Sequence, residues 1–68
     1  MEDHTYKLTT IVGTSREGSD AAIRSGIARA NATLRNVRWF EVVATRGFID
    51  RDGTVQFQVT MKVGFTLE

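Results

Sequence analysis

The chain has no cysteine and no proline, and it carries a single histidine. Absence of cysteine removes disulfides, thiolate metal sites and cysteine nucleophiles together. His4 alone rules out a histidine-rich metal site. No apolar run approaches the ~20 residues of a membrane-spanning helix. Neither sign of charge is in surplus: nine Lys and Arg against eight Asp and Glu leave +1. That is far from the charge of a chain built to neutralise many phosphates, so nucleic acid is not an expected partner. The acids Glu2, Asp3, Asp50, Asp52 and Glu68 gather at the termini and a turn, so a catalytic carboxylate pair is not expected either. Gly13-Thr14-Ser15 lacks the flanking glycines and lysine of a phosphate-binding loop. No enzyme activity is predicted.

Length adds a constraint. Sixty-eight residues make one small domain, 1–68, and chains this short usually need disulfides, a metal or partner chains to be stable. With the first two excluded, association into a homo-oligomer is expected. Hydrophobic residues at 41% and charged residues at 25% describe a globular chain rather than a disordered one. With no membrane span and no signal-peptide pattern before the first predicted strand, a cytoplasmic protein is expected.

The residues that are present resolve into four elements. A strand covers roughly 6–12, with Tyr6, Leu8 and Val12 on one parity, and Gly13-Thr14-Ser15 breaks the extended pattern. Thr14 and Glu17 have the spacing of a capping box, and Ser15 is an equal N-cap candidate. A helix is predicted over about 16–35, with Ile23, Ile27, Ala30, Leu34 and Val37 forming one apolar stripe. Its many small residues predict close packing, and Asn36 can end it. Arg24 and Arg35 belong to a solvated face. Two strands follow, joined by a turn at Asp50-Arg51-Asp52-Gly53, where Gly53 supplies the positive φ. In the last strand Val55, Phe57, Val59, Met61, Val63, Phe65 and Leu67 alternate with polar residues and Gly64. One face of that strand is therefore buried and the other polar. These elements predict an α+β fold, β-α-β-β, with a three-stranded antiparallel sheet in the order 1-3-2 and the helix on one face.

A two- or four-residue hairpin loop pairs Asp50 with Gly53 and Ala44 with Val59. The same register sets Val42 against Met61, Phe40 against Val63 and Glu41 against Lys62. Gly47 is the place where a bulge could shift it. Trp39 then lies on the polar face, near open space left by Gly64. Two readings apply: an indole packed into a subunit interface, or a stacking platform for a flat aromatic ligand. Gln58 shares that face, either as an ordinary polar strand residue or as the donor and acceptor pair that suits a pyrimidine-like edge. It lies about 20 Å along the strand from Trp39, so a ligand held by both requires two chains. Arg46, near the hairpin end, suits a surface salt bridge, a phosphate or a ring.

Taken together, Ile11-Val12-Gly13-Thr14-Ser15, Trp39-Phe40-Glu41-Val42, Arg46-Gly47, Phe57-Gln58-Val59 and Lys62-Val63-Gly64-Phe65 resemble the dodecin family over nearly the whole chain. The resemblance implies a hollow dodecamer of β-α-β-β chains that holds FMN or riboflavin between subunits without enzymatic turnover, for storage, buffering or photoprotection. It puts Trp39 on the isoalloxazine ring, Gln58 on its pyrimidine edge, and Arg46 at the position of the arginine of bacterial members. Bacterial members also hold coenzyme A, for which Arg29 is the matching contact. Thr66 departs from the arginine common in bacterial relatives. The alternatives are a redox-active flavoprotein and a structural or nucleic-acid-binding module.

Overall fold

In the computed structural model, which describes residues 4–67, the chain runs β1 (Tyr6–Ser15), α1 (Ser19–Thr33), β2 (Val37–Ile49) and β3 (Val55–Thr66). The three strands form one antiparallel sheet in the order β1-β3-β2, which is the expected architecture. The acids Glu2, Asp3 and Glu68 lie outside the described residues. The strict alternation of β3 places Val59, Met61 and Val63, all fully buried, beneath α1. With Ala22 and Ala30 they form the core, and Ile11, Ile23, Ile27, Leu34 and Val37 pack against it half-buried.

The helix approaches the sheet through its smallest residues. Ala22, Gly26 and Ala30 are its buried positions, one on each successive turn, while the larger Ile23 and Ile27 flank them. The closest approach is at Gly13 of β1, where a Cβ would overlap the Ala22 carbonyl oxygen and stand 3.0 Å from its carbon. This glycine therefore serves helix seating and does not interrupt the strand, so β1 continues to Ser15, beyond the expected end at 12.

Both helix ends are correspondingly inside the expected ones. Ser15 Oγ accepts the Glu17 N–H at 3.0 Å in a local turn, and the helix starts only after Gly18, with no side-chain cap. Neither Thr14 nor Ser15 is the N-cap. At the other end α1 stops at Thr33, and the Leu34 N–H closes the last turn on the Ala30 carbonyl at 2.8 Å. Asn36 adopts a left-handed φ of 61°, a conformation that asparagine tolerates better than most residues. Its carbonyl then accepts the Thr66 N–H at 3.2 Å, fastening the helix exit to β3.

The central register is the expected one: Phe40 opposes Val63, Glu41 opposes Lys62 and Val42 opposes Met61. The hairpin end is not. Asp50 N–H donates to the Thr54 carbonyl at 2.8 Å, and Gly53 N–H to the Asp50 carbonyl at 2.9 Å, with Gly53 at φ 85°. Asp50 therefore pairs with Thr54 rather than Gly53 around a three-residue loop, the kind that ends in a left-handed glycine. Thr45, not Ala44, opposes Val59. The one-residue difference is absorbed between Val42 and Ala44, with a second shift between Val37 and Trp39, and not at Gly47.

Gly13→Ala should cost ~3 kcal/mol, because a backbone carbonyl must move to admit the methyl. Gly47→Ala should change stability by no more than ~0.5 kcal/mol, since its Cβ would meet nothing nearer than 3.7 Å. Urea denaturation of both variants checks the pair.

Candidate functional site

The bulge at Val43 inverts the side-chain parity of the hairpin half of β2. Before it, Trp39 and Glu41 oppose Gly64 and Lys62; after it, Ala44, Arg46 and Phe48 oppose Thr60, Gln58 and Gln56. All of these β3 partners belong to the face turned away from α1. Without the shift, Arg46 would share the helix side with Val42. With it, Arg46 stands directly across from Gln58, about 5 Å away between Cα atoms, on the same face as Trp39. Arg46 is exposed and Gln58 half-buried.

Trp39 sits at the other end of this face. A Cβ on Gly64 would overlap indole atoms Cε2 and Cζ2 and stand 2.7 Å from Cδ2. The space expected beside the indole is thus filled by the indole itself, which lies on the bare Gly64 backbone. Tyr6, brought opposite Thr66 on β1, packs edge-on to Trp39 with ring centroids 6.0 Å apart and planes at 68°. The indole therefore has the sheet beneath it and a phenol beside it, yet remains 38% exposed. Exposed aromatic surface held in a fixed orientation is suited to a flat ring.

The outer face is less polar than expected. Tyr6, Leu8, Val12, Trp39 and Phe48 all retain substantial exposure there. It has an aromatic end (Tyr6, Leu8, Trp39) and a hydrogen-bonding end (Thr14, Arg46, Gln56, Gln58). Six positions of β3 separate Gly64 from Gln58, or about 20 Å, so one chain does not bring Trp39 to Gln58. Arg29 is elsewhere: it lines a groove between α1 and β1 with Thr9, Ser25 and Thr33, on the helix side of the sheet. Tyr6 is the site residue that the sequence pattern did not single out. Its only signal was a shared parity with Leu8 and Val12.

Among the described residues no group of three or more His, Asp or Glu side chains could hold a metal ion. Asp52, at the hairpin tip, has its carboxyl held below the usual range by the Thr54 N–H, which donates to Oδ1 at 3.0 Å. It lies at the turn and takes no part in either end of the outer face. No described helix is long and apolar enough to cross a membrane.

Comparison with known proteins agrees across sequence and structure. The Dodecin family model matches residues 5–68. The chain is 51% identical over 63 residues to the dodecin of Thermus thermophilus, covering 93% of this chain and 91% of the relative. It superposes on the dodecin of Streptomyces davaonensis with a TM-score of 0.91 and 57% identity, covering 98% of each chain. For the dodecin of Streptomyces coelicolor the values are 0.90 and 51%, over 100% of this chain and 97% of the other.

Gly64→Ala should displace the indole from its seat, because the ring and a methyl cannot share that volume. The protein has one tryptophan, so its fluorescence reports the site directly. Emission should shift to that of a water-exposed indole, and the near-ultraviolet circular dichroism of the ring should collapse, with ~1–3 kcal/mol of stability lost.

Proposed function

The chain belongs to the dodecin family, and from that premise we propose that it is a non-enzymatic flavin-binding protein whose sites form between copies of the chain. The observation that carries this reading is the division of one sheet face into two ends. Trp39 offers an oriented, open indole face, while Arg46 and Gln58 stand opposite each other about 20 Å away. A ring system of flavin size reaches both only if one chain supplies the indole and another the amide and guanidinium. The residues suit that ligand. Indole stacks on the ring, the Gln58 amide provides an acceptor and donors for its pyrimidine edge, and Arg46 meets a phosphate by a charge-assisted hydrogen bond. When bound, the flavin supplies visible-light absorption and one-electron chemistry; the protein's part is to stack on it, keep it out of bulk water and limit its photochemistry.

A homo-oligomer, dodecameric as the resemblance implies, is supported by the same geometry and by the apolar surface that one chain leaves exposed on both sides of the sheet. Storage, buffering and photoprotection all require retention of the ring without turnover. Coenzyme A would need a separate site at Arg29, on the opposite side of the sheet from Trp39. Thr66, 7% exposed, adds no charge to a second anion site.

Two measurements test this reading. Titration of FMN or riboflavin should quench flavin fluorescence, and Trp39→Ala should weaken binding by ~1–3 kcal/mol, the scale of one lost ring stack. Arg46→Ala should weaken FMN more than riboflavin, because only FMN carries a phosphate. Equal binding by wild type and Trp39→Ala would sink the assignment. Light scattering should give a mass many times the 7.6 kDa of one chain; a monomer that binds flavin normally would refute the intersubunit site.

A further inference from the structure

The chain contains one tryptophan and one tyrosine, and the fold places them against each other. They come from opposite edge strands and meet across β3, where Tyr6 opposes Thr66 and Trp39 opposes Gly64. Their rings touch edge to face, with centroids 6.0 Å apart. Packing alone asks for no hydroxyl at this position, since a phenyl edge would serve. Tyr6 nevertheless carries a phenol, on a side chain that is 44% exposed in the single chain. An oxidisable indole, a phenol in direct contact with it and solvent to receive a proton are the components of a short charge relay.

We propose that Tyr6 is the electron donor that restores Trp39 after one-electron oxidation of its indole. The indole first gives one electron to a one-electron oxidant and is left as a radical cation. On the reading above, that oxidant is the photoexcited flavin stacked on it; only the source of the oxidant rests on that reading. Tyr6 then passes one electron to the indole, and its phenolic proton leaves to water. Trp39 is whole again, and a neutral phenoxyl radical remains on Tyr6. The direction follows from the phenol's looser hold on its hydrogen. The oxidised indole can also release its own N–H proton to water; in either form it takes up one electron, with a proton where it has lost one, while Tyr6 gives up one electron and one proton. Return of the electron from the reduced oxidant, together with a proton from water, restores the phenol. The cycle closes with no net chemistry, and the tryptophan is spared irreversible damage.

The relay can be tested without flavin by pulse radiolysis, using azide radicals to oxidise the indole. In wild type the tryptophanyl band should decay as the tyrosyl band grows, with one first-order rate that does not depend on protein concentration. In Tyr6→Phe, which keeps the ring contact, the growth should vanish and the tryptophanyl radical should persist at least tenfold longer. A tryptophanyl decay unchanged in Tyr6→Phe would overturn the proposal. So would a transfer rate that scales with protein concentration, since that marks transfer between molecules. The outcome is separable from flavin binding. A protein that fails to bind flavin but shows the transfer keeps the relay, and a flavin binder that shows none loses it.

Discussion

The contact of Gly13 with the Ala22 carbonyl decides where the rest of the fold lies. It draws α1 down over β1 and β3, and the small stripe Ala22, Gly26 and Ala30 follows from that closeness. A helix seated there reaches β2 only slightly. Phe40 and Val42 are left exposed on the helix side, and Phe40 joins Ile23, Ile27 and Ala28 in lining an open groove. The hairpin runs beyond the helix altogether, and Ile49 near its tip is 80% exposed. Close seating of a small helix thus gives a dense but minimal core, and apolar surface remains uncovered on both sides of the sheet. Surface of that extent is what association between chains would cover.

The register shows how far a sequence pattern carries and where it stops. Apolar matching beneath the helix specified the centre, so Val42 with Met61 and Phe40 with Val63 could be read from the strand alternation. Turn chemistry specified the other end independently, through a left-handed Gly53 and a three-residue loop. The two specifications differ by one residue, and a bulge at Val43 reconciles them. Nothing in a valine within an apolar strand announces a bulge, whereas Gly47 looks like one. Yet the consequence is large, because the bulge sends Arg46 to the outer face and aligns it with Gln58. A similar ambiguity shortened β1 in the sequence reading. A glycine needed for close approach is indistinguishable, by composition, from one needed for a break.

On the outer face, the legible part was Trp39, its register with Gly64 and its distance from Gln58, all of which follow from β2–β3 pairing. The illegible part was β1. Thr9, Ile11 and Gly13 take its helix side, opposite Val63, Met61 and Val59, while the more apolar parity of Tyr6, Leu8 and Val12 faces outward. Hydrophobic parity ordinarily identifies the core side of a strand, and here it identifies the side left open for something else. Tyr6 reaches Trp39 for that reason, and no pairing rule applied to the hairpin alone could have found it.

Under the proposed association, the shortage of core and the spread of the binding groups have one remedy. A two-fold contact presents the same surface from both partners. If two sheets meet by their outer faces in opposite directions, the Trp39 end of each lies over the Arg46 and Gln58 end of the other, and one contact completes two equivalent sites. The apolar residues Leu8, Val12 and Phe48 on that face are covered by the same step. A monomer would expose them and hold its indole and amide too far apart for one ring. Binding and association are therefore thermodynamically linked: a ligand that bridges two chains favours the assembled state over the separated one. What sets the ~20 Å separation is the extended rise of β3 itself, which no side-chain rearrangement within one chain can shorten.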